Sequence, residues 1–133
     1  MKKIEHIGIA VENMETSSLL FEKLLGVAAY QSEEIASEGV HTLFFKNGPT
    51  KIELLAATNP ESPIAKFLTK KGEGIHHIAF EVMNIEQEMI RLKQEGFIFI
   101  DEIPRIGADN KRIVFLHPKN TNGILIELCQ EIK

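Results

Sequence analysis

Apolar and polar positions alternate in two stretches, "IEHIGIAV" (4–11) and "IHHIAFEV" (75–82), and each pattern predicts a half-buried strand. The two lie a constant 71 positions apart, and the match continues, with Asn13, Met14 and Glu15 falling on Asn84, Ile85 and Glu86. Each Asn reads as the cap of a helix. Asn84 is followed by Gln87 at the capping-box position and by Ile85, Met89 and Leu92 at helical spacing. In the first helix Phe21, Leu24 and Leu25 form the expected inner stripe, and Gly26 and Gly96 suit the left-handed turn after each helix. Three extended runs follow in each half, near 27–34, 40–46 and 51–57, then near 97–103, 112–116 and 124–130. The pattern is therefore βαβββ written twice: repeat one over 1–58, a connector over 59–73 with a short helix starting near Pro63, and repeat two over 74–133.

One helix cannot cover both faces of a sheet, so neither repeat is complete alone. Pairing them predicts an α+β fold in which two βαβββ repeats form one curved mixed sheet around a cavity. Helices would cover the outer face, and equivalent positions would meet near the pseudo-twofold axis. A chain of 133 residues, 44% hydrophobic and 26% charged, fits a single domain over 1–133. Its formal charge of -4 gives no basis for a nucleic-acid partner. It has no apolar run of the roughly 18 residues that a membrane helix needs, and acids interrupt the start where a signal peptide would be apolar. A cytoplasmic protein with no membrane partner is the expectation. Cys129, the one cysteine, sits in the apolar run "GILIELCQ" and reads as a packing residue.

The repeat singles out four side chains. His6 and His77 are equivalent, and near the end of each half stands Ile-Glu-Leu, placing Glu53 in "KIELL" and Glu127 in "LIELC". Strand alternation puts His6 with Gly8 and Ala10, opposite Ile7, Ile9 and Val11; it puts His77 with Ala79 and Glu81, opposite His76, Ile78 and Phe80. The histidine face is thus lined by small residues. Glu53 and Glu127 are each flanked by residues expected in the core, and a buried carboxylate needs a partner. One His in a strand is ordinarily a satisfied polar residue, but four at repeat-related positions point to a divalent metal such as Ni, Co, Mn or Zn. His76 is then expected to face away and to play a structural part at the strand's start.

"HIGIAV", "KIELL", "GEGIHHIAFEV", "FLHPK" and "GILIEL", in that order and spacing over nearly the whole chain, resemble the vicinal-oxygen-chelate (glyoxalase) superfamily, and within it the methylmalonyl-CoA epimerase family most closely. Glyoxalase I (lactoylglutathione lyase) shares the four-ligand plan and is the nearest alternative. The resemblance implies one divalent ion held by His6, Glu53, His77 and Glu127, an acyl-CoA or thiol-adduct substrate, and a homodimer. It implies abstraction of the α-proton of 2-methylmalonyl-CoA through a metal-stabilised enolate, with Glu127 as ligand and acid/base. The chain departs from some epimerases where Thr42 stands in place of a second catalytic Glu, which leaves Glu53 as the candidate second base; Thr42 becomes a substrate-binding candidate. Lys119, in the "HPK" of the matched motif, is a second one. Lys111 and Arg112 are weaker candidates for an anion, His41 should face away from Thr42, and His117, before Pro118, reads as a turn residue.

Overall fold

The computed structural model describes all 133 residues. The elements run β1 (Lys3–Ala10), α1 (Met14–Leu25), β2 (Gln31–Ile35), β3 (Val40–Asn47), β4 (Thr50–Ala57), α2 (Pro63–Lys71), β5 (Gly74–Glu81), α3 (Ile85–Gln94), β6 (Arg105–Ile106), β7 (Lys111–Leu116) and β8 (Ile126–Glu131). This is α+β, with βαβββ twice and α2 in the connector. The chain forms two compact units, Met1–Glu5 with His77–Lys133, and His6–His76. Their boundaries fall inside β1 and β5, immediately before His6 and His77.

Within the His6–His76 unit the strands lie in the order β2-β3-β4-β1, β1 parallel to β4 and the remaining pairs antiparallel. The helix side holds Ile9, Val11, Ile52, Leu54, Ala56 and Phe45 against Met14, Phe21 and Leu25 of α1. On the other side α2 packs Ile64, Phe67 and Leu68 against Ala10, Val40 and Leu55, covering the end of that face away from His6. Leu24, expected in the inner stripe, is 70% exposed. The buried seam of α1 runs through Met14, Phe21 and Leu25, and Leu24 lies about 60° round the helix from Phe21.

The other unit repeats the plan with β5-β8-β7-β6, β5 parallel to β8. Here Ile85, Met89 and Leu92 of α3 pack on Leu128, Val114, Leu116 and Phe99. The opposite face carries Ala79, Cys129, Ile113 and Phe115. The main-chain N–H of Lys2 donates to the carbonyl of Glu81 at 2.8 Å, fastening the first residues along β5.

Local chemistry sets the helix ends. Asn13 and Asn84 accept from the N–H groups of Thr16 and Gln87 at 2.9 and 3.0 Å, and Ser62, before Pro63, does the same for Ala65 at 3.1 Å. At the end of α3, Phe97 N–H reaches the Leu92 carbonyl and Gly96 N–H the Lys93 carbonyl, the doubled bond of a Schellman turn with Gly96 at φ 97°. The strand expected over 97–103 is not regular. Ile100 N–H and the Ile98 carbonyl bond to the β7 end, leaving one isolated bridge, Phe99 to Leu116. The ladder resumes only after Pro104, which lacks an N–H to donate, as the two-residue β6. The strand expected over 27–34 likewise starts later, at Gln31. No helix is long and apolar enough to cross a membrane.

Replacing Asn84 by Ala should lower stability by about 1 kcal/mol, the usual value of a helix N-cap. Gly39→Ala should cost more, because Gly39 sits at φ +62° with Asn59 Nδ2 2.6 Å from the site of a Cβ. Urea unfolding of both variants checks the order, and equal losses would refute it.

Candidate active site

Four buried side chains fall into two like pairs, one in each unit. In the His6–His76 unit, His6 on β1 and Glu53 on β4 bring Nε2 and Oε1 to 3.3 Å. In the other unit, His77 on β5 and Glu127 on β8 bring the same atoms to 3.4 Å. All four residues are 4–6% exposed. Parallel pairing explains how each pair forms: Gly8 stands directly opposite Glu53 and Ala79 directly opposite Glu127. Neither has a side chain large enough to separate the carboxylate from the imidazole.

The pairs fit a metal. Imidazole nitrogen and carboxylate oxygen each sit about 2.0–2.2 Å from a divalent ion of the Zn type. Two such atoms subtending about 90–110° at a common ion are about 3.0–3.4 Å apart, which is the separation in both pairs. Neutral imidazole with carboxylate is also a donor set that suits Zn, Co, Ni and Mn alike.

Two aromatic residues that alternation alone did not mark stand behind the histidines. The Phe44 ring meets His6 edge-on, centroids 6.3 Å apart with planes at 89°. Phe115 meets His77 in the same way, at 5.9 Å and 89°. In register Phe44 is opposite Glu53 and Phe115 is opposite Glu127, so each strand triplet supplies the ring beside its own carboxylate. The signal was in the repeat, for Phe44 and Phe115 are separated by the same 71 positions as the histidines.

His76 turns elsewhere, its ring edge-on to Phe67 of α2 at 4.9 Å. Thr42 is buried on the same face of β3 as Phe44, and its hydroxyl donates to the Glu33 carbonyl at 3.3 Å. His41 faces the other way, Nε2 2.7 Å from Ser32 Oγ. Lys119 is exposed on the turn Pro118–Asn120, and its N–H donates to His117 Nδ1 at 3.2 Å, which gives His117 the expected turn role. Arg112 is committed to an ion pair with Glu86. Lys111 is buried, its Nζ 3.3 Å from the Asp109 carbonyl. Glu5, which no periodicity singled out, is a buried carboxylate at 2% exposure.

Comparison with known proteins places these residues in context. Residues 5–115 match the family described as the glyoxalase/bleomycin resistance protein/dioxygenase superfamily. The chain is 38% identical to YqjC of Bacillus subtilis, an uncharacterised protein, over 98% of this chain and 93% of that one. It is 39% identical to the ethylmalonyl-CoA/methylmalonyl-CoA epimerase of Cereibacter sphaeroides over 96% of this chain and 97% of that one. Among solved structures, a variant of Streptomyces coelicolor methylmalonyl-CoA epimerase, in complex with 2-nitronate-propionyl-CoA, superposes with a TM-score of 0.92 at 29% identity, covering 100% of this chain and 99% of that one.

Cys129, between Ala79 and Ile113 on the face that bears His77 and Glu127, is fully buried. Burial, with the charges of Glu127 and Glu5, raises its thiol well above the ordinary value of 9.0. The folded protein therefore holds this proton more tightly than the unfolded chain. Its contribution to stability is complete below pH 9.0 and falls as pH rises beyond it. Cys129 should resist a thiol-directed reagent at pH 8 until denaturant is added; rapid labelling of the folded protein would contradict this burial.

Proposed function

Because the chain belongs to the glyoxalase/bleomycin resistance protein/dioxygenase superfamily, and within it groups with the methylmalonyl-CoA epimerases, we propose that it inverts C2 of 2-methylmalonyl-CoA. The observation that carries this reading is the repeated buried pair, His6 with Glu53 and His77 with Glu127, one on each repeat. Together the four would hold one divalent ion. Bound there, the ion would act as a Lewis acid, polarising the thioester carbonyl and lowering the cost of enolate charge.

The chain's own groups supply the proton transfers. Inversion needs a base on one face of C2 and an acid on the other. Glu127 takes the α-proton and Glu53 returns one to the opposite face, or the reverse for the other epimer. Thr42, whose hydroxyl bonds to the Glu33 carbonyl, has no basic atom to offer. The apolar neighbours of each pair, Phe44 in one unit and Phe115, Ala79 and Cys129 in the other, keep water from competing for the proton.

A second reading, isomerisation of a methylglyoxal–thiol hemithioacetal by a lactoylglutathione lyase, draws support from Glu53. A glutamate pair flanking one carbon serves either reaction, since both pass through an enediolate or enolate.

Metal-reconstituted protein in deuterated water separates the two. With 2-methylmalonyl-CoA it should exchange the C2 proton and invert the centre; with methylglyoxal and glutathione it should form no lactoylglutathione. The converse pattern would overturn the proposal. Glu127→Gln should reduce turnover by about 10²-fold or more, the range of a positioned acid/base.

A further inference from the structure

Along their third strands, β3 and β7, the two repeats match position for position, and one pair breaks the match. Phe44 and Phe115 are 71 positions apart, and the same offset sets Val40 against Lys111. Register agrees: Val40 is opposite Ala57 and Lys111 opposite Glu131, four residues along from Phe44 opposite Glu53 and Phe115 opposite Glu127. Val40 is an ordinary core residue, packed with Leu55 and Ile64. The second repeat places an ammonium group at the equivalent position, and only 9% of the Lys111 side chain is exposed.

Burying a cation is costly unless charge and hydrogen bonds replace its water, and the loop before β7 supplies some of each. Asp109 and Asn110 both adopt left-handed backbone, at φ 58° and 55°, a conformation that persists only where the surroundings enforce it. Here the turn is pinned at both ends. Gly107 N–H donates to the Lys111 carbonyl at 2.9 Å, and Ile132 N–H to the Asn110 carbonyl at 3.2 Å. The Asp109 carbonyl is thereby set 3.3 Å, and its Oδ2 3.6 Å, from Lys111 Nζ. An ammonium has three donors, of which Asp109 takes two at most.

Lys111 shares its side of β7 with Ile113 and Phe115. These pack with Ala79 and Cys129 on the face that bears His77 and Glu127. Arg112, one residue on, takes the other side and pairs with Glu86 of α3. The charge of Lys111 is felt at the middle of the face, where it opposes the upward push on the Cys129 thiol.

We propose that Lys111 is a specificity-determining residue whose ammonium binds the free carboxylate on C2 of the acyl group. This rests on the epimerase reading, in which the substrate carries a carboxylate one bond from the carbon that is deprotonated. Lys111 and Phe115, the register neighbour of Glu127, are four residues apart, about 13 Å of strand. The lysine stem covers the first part of that span. A carbon about 3 Å from the Glu127 carboxylate, a carboxylate one bond farther and a charged hydrogen bond of about 2.8 Å fill the rest. Burial selects among the anions of the substrate. Lys111, at 7% exposure, is nearly as deep as His77 and Glu127. A group that reaches it enters the same dry face, as the acyl carboxylate must and the bulky, hydrated phosphates of CoA do not.

Calorimetric titration of the metal-loaded protein with 2-methylmalonyl-CoA and with propionyl-CoA, which lacks the carboxylate, tests the assignment. Lys111→Met keeps an apolar stem and removes the charge. It should weaken 2-methylmalonyl-CoA at least about 10-fold, the scale of a charged hydrogen bond, and change propionyl-CoA less than about twofold. Lys111→Met combined with Asp109→Asn, which removes both members of the pair and leaves no carboxylate unpaired, should show the same selective loss. Unchanged affinity for 2-methylmalonyl-CoA in both variants would overturn the proposal. So would parallel loss of both ligands, which would mean that Lys111 supports the fold or a part of CoA common to the two. Failure of the epimerase reading shows separately, as wild-type protein that exchanges no C2 proton of 2-methylmalonyl-CoA in deuterated water.

Discussion

Two carboxylates removed from water are the constraint around which each unit is built. An ionised Glu loses several kcal/mol of hydration on burial unless a charge or strong donors replace the water. Glu53 and Glu127 each meet that demand with an imidazole at 3.3–3.4 Å. The approach depends on Gly8 and Ala79, which add almost nothing between the paired strands, and on Phe44 and Phe115, which hold the rings edge-on. A larger residue at Gly8 or Ala79 would separate carboxylate from imidazole. Removal of either histidine would take a close partner from a buried carboxylate, a costly kind of core substitution.

Division of labour follows from that constraint. The helix side of each sheet carries the ordinary apolar core, seamed by Met14, Phe21 and Leu25 in one unit and by Ile85, Met89 and Leu92 in the other. The opposite face is then available for polar chemistry. Repetition supplies two like His–Glu pairs, one in each unit, the number of proton-handling groups that the proposed inversion calls for.

Much of this was legible in the chain because it is written twice. The offset of 71 marks His6 and His77 and the capping asparagines, and strand parity alone separates His77 from His76, whose ring instead meets Phe67. Other features were hidden for physical reasons. Leu24 has the composition of a core residue, but small rotations of a helix about its axis leave no trace in an apolar count, and it is 70% exposed. The run 97–103 has strand-like residues, yet Pro104 and the bends before it reduce its pairing to one bridge. Glu5 reads as polar in a strand that the fold buries almost completely at that point.

The central claim is that one His–Glu pair from each repeat serves a single ion. Titrating metal-free protein with Co or Zn, by calorimetry or equilibrium dialysis, tests it without reference to any substrate. The account predicts one ion per chain, with affinity lost to a similar degree in His6→Asn and His77→Asn. Two ions per chain, or one variant that keeps wild-type affinity while the other loses it, would contradict it.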